Sequence, residues 1–437
     1  MIDIKEKKDC CGCSACMSIC PKKAITMKYD EEGFRYPCID KEKCIGCKLC
    51  EKVCPFINSK SCDTDNKLSN ESLIEERINT LTNNIDCYAC YNNDVNVRSA
   101  STSGGFFSVL AKHVINNGGY VCGVSYDSDN NICHKIISNE KEISQFRGSK
   151  YVQSYQNEVY HKIKALLDDK KMVLYSGTPC QVEGLIKYLQ KPYDNLITVD
   201  LVCHGVGSQS YWNKYKDYME WKYKSKIDTI SFREKTYGYN SSCMAVYFKN
   251  GKVSKKGHSD DKYLLAFFKD YILRPSCYSC KVKTLDRQAD YTMGDFWDSS
   301  NLPEQFKKAN GCTLVLCNNE KSKIIFNEIK EKLTYENISL KEGLLVNSGR
   351  NYSMMIKSVN LPNDREVFFS EFKKTNYKDI SKLLNKYMPL SFKEKVFCLI
   401  KPILYKFKVL ELVKKVVKWK KLRLYVRVWA MVEWKEL

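Results

Sequence analysis

Histidine is scarce in this sequence, five in 437 residues, which argues against a His-rich metal site. Also missing is any run of about 18 apolar residues, the length a membrane-spanning helix needs, so no stretch reads as a span. The opening MIDIKEKKDC has no apolar stretch and no signal-peptide layout. Acidic residues are in deficit, 51 against 71 Lys and Arg, for a formal net charge of +20. Such a charge suits nucleic acid, but no recognised nucleic-acid module accompanies it, and no nucleic-acid partner is expected. The excess is also uneven. Residues 391–437 hold 13 Lys or Arg against 4 Glu, a net of +9, so the basic character is largely that of a tail.

Cysteine is abundant, with 23 residues. In a chain without an export signal these read as metal ligands and buried thiols of a reducing cytoplasm rather than disulfides. Eight fall in two runs, Cys10-x2-Cys13-x2-Cys16-x3-Cys20-Pro21 and Cys44-x2-Cys47-x2-Cys50-x3-Cys54-Pro55. Each run has the spacing of a bacterial ferredoxin 4Fe-4S site. Three thiolates at two-residue gaps curl around one cubane face. The fourth, beside a Pro that blocks ordinary helix geometry, swings away to ligate the other cluster. Cluster one is therefore assigned to Cys10, Cys13, Cys16 and Cys54, and cluster two to Cys44, Cys47, Cys50 and Cys20. Zinc is the alternative for CxxC pairs; two complete copies, each closed by Cys-Pro, favour iron–sulfur. Cys11 and Cys38 are spare, and Cys11 is read as packing. A cluster with four thiolates carries roughly −2 when oxidised, so three clusters would offset about six of the formal positive charges.

The length accommodates two or three domains, and the fold class is α+β. Residues 1–57 are the two-cluster ferredoxin-like module, with Ala24-Ile25 and Tyr36-Pro37 in short strands. Residues 58–84 are a polar linker with one helix near Leu73–Leu81. Residues 85–345 alternate between strands (Asp86–Tyr91, Tyr120–Tyr126, Met172–Tyr175, Leu196–Val202) and helices (Phe106–Ile115, Asn157–Leu167, Gln181–Leu189, Tyr211–Trp221). That alternation makes an α/β domain whose ligands gather at strand-to-helix loops. Residues 346–390 read as a small α/β or helical extension, and 391–437 as a basic helical tail. In the tail Leu404, Phe407, Leu410, Val413 and Val417 recur at helical spacing among lysines. This is either an amphipathic helix on an anionic membrane surface, which would place the chain peripherally on the inner membrane face, or a helix packed on the core.

The loops carry the chemistry. Ser101-Thr102-Ser103-Gly104-Gly105 opens a helix that its Ser and Thr can cap, with a Gly pair that lets an anion approach. Gly148-Ser149-Lys150-Tyr151 offers a cation for a phosphate or for a flavin edge. Gly177-Thr178-Pro179-Cys180 sets Cys180 in the first turn of a helix, where the dipole lowers a thiol pKa. Cys203 ends the next strand, and Cys277-x2-Cys280 follows Pro275. Cys180, Cys203, Cys277 and Cys280 are four thiols in three loops, and they read as a third 4Fe-4S site, the alternative being four unrelated cysteines. Cys87-x2-Cys90 lies in a strand, where i and i+3 face opposite ways, and reads as structural. His204 is a candidate proton donor or a group behind the thiols. Asp295, at the end of a strand in Gly294-Asp295-Phe296-Trp297, is a candidate for a cofactor edge or for positioning a proton.

Taken together, the words SxSGG (Ser101–Gly105), GSKYVQ (Gly148–Gln153), GTPCQ (Gly177–Gln181), DLxCHG (Asp200–Gly205), FRxK (Phe232, Arg233, Lys235), CxxC (Cys277, Cys280) and GDFW (Gly294–Trp297) resemble the beta subunit of coenzyme F-420 (deazaflavin) hydrogenases and dehydrogenases. The resemblance covers roughly 85–345, and the double-cluster module is usual in that family. It implies FAD held by Ser103, Gly104, Gly105, Gly148, Ser149, Lys150 and Tyr151, beside an inner cluster on Cys180, Cys203, Cys277 and Cys280. His204 and Asp295 are the catalytic candidates. The expected activity is an oxidoreductase passing electrons between the ferredoxin-type clusters and a small-molecule hydride acceptor by way of FAD. That acceptor is deazaflavin or an intermediate of cell-surface polysaccharide synthesis, since chains of this layout also occur in bacteria without deazaflavin metabolism. The alternative is a non-catalytic electron-transfer subunit of a larger redox complex, and either role implies a redox partner protein. The basic tail departs from the family core.

Overall fold

The computed structural model describes residues 2–57, 71–82, 84–156 and 158–406. The chain divides into two compact units, residues 1–387 and 388–437.

In the first unit, β1 (Ile25–Tyr29) and β2 (Arg35–Ile39) form an antiparallel hairpin between the two cysteine runs. The main sheet has eight strands: β3 (Asp86–Asn92), β4 (Tyr120–Tyr126), β5 (Ile132–Ile137), β6 (Val173–Ser176), β7 (Leu196–Leu201), β11 (Tyr291–Asp295), β12 (Thr313–Cys317) and β13 (Leu333–Ile338). Their order is β13-β3-β12-β11-β7-β6-β4-β5. The centre, β11-β7-β6-β4, is parallel, and the flanking pairs are antiparallel. β8 (Ile227–Glu234), β9 (Cys243–Phe248) and β10 (Val253–Lys256) make a separate three-stranded sheet.

Alternation along the central strands divides the core into two faces. Val121, Leu174, Ile197 and Val199 pack with Phe106, Leu110 and Phe326 from the helices Phe106–Asn116 and Glu320–Ile329. Cys122, Val173 and Tyr175 face the other way, toward the helices Val159–Asp168 and Pro179–Leu189. The expected strands and helices of the α/β region form within about two residues of their boundaries, as the scatter at element ends allows. Cys87 and Cys90 fall in different core clusters, on opposite faces of β3.

Other segments differ from expectation. In the stretch read as a linker the expected helix forms, over Glu71–Thr82, but it buries Ile78 and Leu81 in the core. Polar neighbours on both sides hid an apolar stripe that only tertiary contacts complete. Beyond β13 the first unit takes the helical one of its two expected forms, with Leu340–Ile356, Arg365–Lys374 and Ile380–Tyr387. The SxSGG hydroxyls do not cap the following helix; its N-cap is Gly105, at φ +89°. The second unit contributes the helix Phe392–Lys406, and the tail positions from Phe407 onward lie outside the described residues. Among the described residues no helix is long and apolar enough to cross a membrane.

The cysteine-rich module shares its interior with the α/β region. Ile2, Cys11, Cys13, Ala15, Val53 and Phe56 belong to the same buried cluster as Val182, Leu185 and Tyr160. The β1–β2 turn is held just as firmly. Glu32, between the strands, pairs with Arg365 at 2.6 Å and 3.1 Å. The main-chain oxygen of Glu32 also accepts from Ser210 Oγ at 2.7 Å. Gly33 has φ +83°, and a Cβ there would collide with the Ser210 backbone nitrogen. Removing one member of a buried ion pair strands the other charge away from water. Glu32→Gln should therefore cost about 3 kcal/mol in anaerobic chemical denaturation. A loss below about 0.5 kcal/mol, the scale of an exposed pair, would show that the pair does not hold the module down.

Candidate functional site

The two cysteine runs share one backbone pattern. The residue before the second Cys is glycine with positive φ in both, Gly12 at +70° and Gly46 at +67°. The residue after it is also left-handed, Ser14 at +67° and Lys48 at +57°. These reversals curl C-x2-C-x2-C into a loop, and short helices, Ala15–Ile19 and Leu49–Lys52, then carry the third Cys of each run. A left-handed non-glycine residue costs about 1–2 kcal/mol, so Ser14 and Lys48 are held there by the loops around them. The fold gathers Cys10, Cys13, Cys16 and Cys54, with Cys10, Cys54 and Cys50 as thiol neighbours of Cys16. Cys20, Cys44, Cys47 and Cys50 line one small cavity with Ile25 and Ile39.

These thiols already accept backbone N–H groups: Gly12 N to Cys10 at 3.4 Å, Ala24 N to Cys20 at 3.3 Å, and Ile2 N to Cys50 at 3.3 Å. Such donors favour the thiolate form that iron binds, and they tune a cluster's potential. Burial pushes the Cys16 thiol far up, so a metal must supply the charge that deprotonates it. Among the described residues no group of three His, Cys, Asp or Glu is arranged to hold a single metal ion.

A second set of thiols assembles at the C-terminal ends of the parallel strands. β6 leads through Gly177-Thr178 into the helix Pro179–Leu189, and Cys180 sits in its first turn. Cys203 lies two residues beyond β7, and the 3-10 turn Pro275–Ser279 brings Cys277 and Cys280. Cys277, Cys180 and Cys280 are the thiol neighbours of Cys203. Cys180 does not have the lowered pKa expected from its helix position. Contact with the Cys11 thiol, and then burial, push it well up, outweighing the helix dipole. Burial likewise raises Cys277 to about 12 and Cys280 to about 11. These are neutral thiols until a cation displaces their protons, which suits ligands better than nucleophiles. Lys283 and Arg287 add positive charge beside them.

Cys11 joins the two sets, touching Cys13 on one side and Cys180 on the other. Gly184 allows this approach. A Cβ at Gly184 would stand 2.8 Å from Cys13 Cβ and 2.9 Å from its Sγ. Cys11 is buried in the core, as its reading as packing expects, while nothing in the spacing indicates which helix lies against it.

The glycine-rich loops meet farther along the sheet. Ser149 N and Oγ bond Thr102 Oγ1 at 2.8 Å and 3.2 Å, tying the GSKY loop to the SxSGG loop. Gly104 N donates to Thr313 Oγ1 at 2.8 Å, and a Cβ at Gly104 would collide with the Cys90 carbonyl oxygen. Gly105 is the N-cap described above, and Gly148 has φ +84° with open space at its Cβ position. Lys150 turns back on its own loop, its Nζ donating to the carbonyls of Arg147 and Gly148 at 3.1 Å, and burial lowers its pKa to about 7. Tyr151 stacks on Phe267 at 4.7 Å, with the positive charge of Arg233 close to its hydroxyl.

Beside these loops is a buried charged group. Asp295 accepts from Arg233 Nη1 at 2.5 Å and from Tyr239 Oη at 3.0 Å. It is an ion-paired anchor, which fits positioning better than proton donation. Lys235 Nζ donates to the carbonyls of Ser103 (2.6 Å) and Arg98 (2.9 Å), and burial lowers its pKa to about 8. Arg233 lies over the Trp297 ring at 4.7 Å. Arg233 Nη2 and Trp297 Nε1 are buried donors without a protein acceptor, an arrangement that suits an anionic or carbonyl-bearing ligand. Arg233 and Lys235 were legible only as the word FRxK, with no role attached. His204 stands apart with its own partner, Nε2 to Asp270 Oδ1 at 2.7 Å, near Phe267.

Residues 170–342 match the family model for the C-terminal region of the coenzyme F-420 hydrogenase/dehydrogenase beta subunit, and residues 9–58 match a 4Fe-4S dicluster domain. Among solved structures, a chain of the F-420-reducing nickel–iron hydrogenase complex from Methanosarcina barkeri, studied by xenon derivatization, aligns with a TM-score of 0.42 at 16% identity. The alignment covers 70% of this chain and 93% of that one. No curated protein matches.

If Gly184 sets the approach of the two thiol sets, Gly184→Ala must displace Cys13 or the helix. Anaerobically purified Gly184→Ala should lose iron relative to the unsubstituted chain. Full iron content with an unchanged spectrum would show that the approach tolerates a methyl group.

Proposed function

We propose that this chain, an iron–sulfur redox protein related to the coenzyme F-420 hydrogenase/dehydrogenase beta subunit, passes electrons between its clusters and an organic hydride acceptor through FAD. The observation that carries this reading is the run of thiols: the Cys20 set, the Cys10 set, Cys11, and the set of Cys180, Cys203, Cys277 and Cys280. Each set neighbours the next, so the chain forms a wire that leads from the N-terminal module to the ends of β6 and β7.

Clusters move one electron at a time and a hydride carries two; a flavin stores one or two and so couples them. Ser103, Gly104 and Gly105, with Gly148, Ser149, Lys150 and Tyr151, supply backbone and hydroxyl groups suited to its wall. Arg233 and Lys235 bring positive charge, and Asp295 and Tyr239 fix the guanidinium in place. The hydroxyl of Tyr239 also donates to the Cys312 carbonyl at 3.1 Å, so the anchor is tied to the sheet. His204, oriented by Asp270, is the group we assign to proton delivery near the inner thiols.

The acceptor is deazaflavin or an intermediate of cell-surface polysaccharide synthesis. The runner-up is an electron carrier that serves a partner protein. Iron and flavin content of protein purified without oxygen tests the reading, with about twelve irons and one FAD per chain expected (four irons per cubane). The enzyme should also turn over a small-molecule acceptor unaided. Eight irons and no flavin, or turnover only after a partner protein is added, would favour the carrier.

In the second unit, Phe392, Leu399 and Ile403 are exposed and recur at seven- and four-residue steps of one helix, which places them on one face. With the surrounding lysines this supports a tail lying on an anionic membrane surface. Co-sedimentation with anionic liposomes should fall on deleting residues 391–437; sedimentation unchanged by the deletion would remove that role.

A further inference from the structure

Arg274 is fully buried, at 0% exposure. Its Nε donates to the Cys10 carbonyl at 2.8 Å, its Nη1 to Gln153 Oε1 at 2.8 Å, and its Nη2 to the Arg35 carbonyl at 2.9 Å. The Tyr36 ring lies 4.3 Å from the guanidinium carbon. Every one of these partners is neutral. The other arginines with buried side chains have carboxylates: Arg233 has Asp295 at 2.5 Å, Arg287 has Asp200 at 3.4 Å, and Arg365 has Glu32 at 2.6 Å. Among the described residues, Arg274 has none.

A buried guanidinium cannot shed its proton, and a buried charge without a counter-charge is strongly disfavoured. The anionic partner must therefore come from what the surrounding thiols bind. Arg274 stands between two thiol sets. Its side chain holds the loop of Cys10, and its own carbonyl accepts from Cys277 N at 2.8 Å, opening the turn that carries Cys277 and Cys280. Cys10, Cys11 and Cys277 are its thiol neighbours. Gly12 leaves room for it, since a Cβ there would lie 2.9 Å from Arg274 Nη1 and 2.7 Å from Gln153 Nε2. A cubane with four thiolates carries roughly −2 oxidised and −3 reduced. A fixed cation between two such groups favours the reduced form of each.

We propose that Arg274 is the shared counter-ion of two clusters, the one on Cys10, Cys13, Cys16 and Cys54 and the one on Cys180, Cys203, Cys277 and Cys280, and that its charge raises the reduction potential of both. The proposal rests on reading the second set as a cluster site. Arg274 is a positioning residue, touching neither substrate nor the reacting atoms.

The test is an EPR-monitored redox titration of the full chain, purified anaerobically, with iron counted for each sample. In Arg274→Gln the two flanking clusters should become harder to reduce, each by about tenfold in equilibrium constant, or about 59 mV for one electron. The cluster on Cys20, Cys44, Cys47 and Cys50, identified by loss of its signal in Cys47→Ala, should not move. Arg274→Lys, which keeps the charge, should restore the unsubstituted potentials. Unmoved potentials in Arg274→Gln with iron retained would overturn the proposal, as would an equal shift of all three clusters. If Arg274→Gln loses iron, Gln153→Glu decides, because it sets a carboxylate against Nη1 and offsets the same charge. It should shift the same two clusters in the same direction, and unmoved potentials there would equally overturn the proposal. Eight irons in the unsubstituted protein would refute the third cluster and with it the shared role. Twelve irons with an unmoved pair would refute the role of Arg274 alone.

Discussion

The closeness of the Cys13 loop to the helix Pro179–Leu189 is the constraint on which the rest of the arrangement depends. Electron transfer falls steeply with distance, so two redox centres in one chain are useful only if the backbones carrying them nearly touch. Side chains normally prevent that. Here the helix presents Gly184 to Cys13, and the loop presents Gly12 to Gln153 and Arg274. Two missing side chains, on facing elements, let a cysteine-rich loop and an α/β domain share one interior. The ion pair of Glu32 with Arg365 then fixes the β1–β2 turn, so the module cannot pivot away from that contact.

The same contact changes what the cysteines are. A thiol at a helix N-terminus is ordinarily acidic, yet Cys180 is driven the other way by Cys11 and by burial. Burial dominates at Cys203, Cys277 and Cys280 as well. Thiols of this kind are poor nucleophiles in water-free surroundings. Such thiols suit ligands of a metal centre that supplies the missing positive charge, and Lys283 and Arg287 lie beside them.

The features legible in the sequence were those set by local spacing. The doubled cysteine run, the parallel strands β4, β6 and β7, and the helix opened by Thr178-Pro179 all depend on residues a few positions apart. Cys180, Cys203, Cys277 and Cys280 could be grouped because each sits at a strand end or in a turn, where α/β folds gather ligands. Contacts made across the chain were not legible. Cys11 looked spare because its partner Cys180 lies 169 positions away. Arg274 gave no signal, since a buried cation and an exposed one read alike in sequence, and Gln153 stood only as the last letter of GSKYVQ, with no role attached. Lys150 was expected to face a ligand, but the carbonyls of Arg147 and Gly148 claim its ammonium, a competition within one turn that composition does not reveal.

The shared interior also bears on heritability. Two-cluster modules are commonly thought of as interchangeable cassettes that evolution or an engineer can swap between enzymes. Here Ile2, Val53 and Phe56 line the same core as Val182 and Leu185. Cutting the chain after residue 57 would expose both halves of that core to water. A replacement module would have to match it shape for shape, as well as supply eight cysteines. Module and domain should therefore vary together across descendants of this chain, with compensating changes on the two sides of the seam.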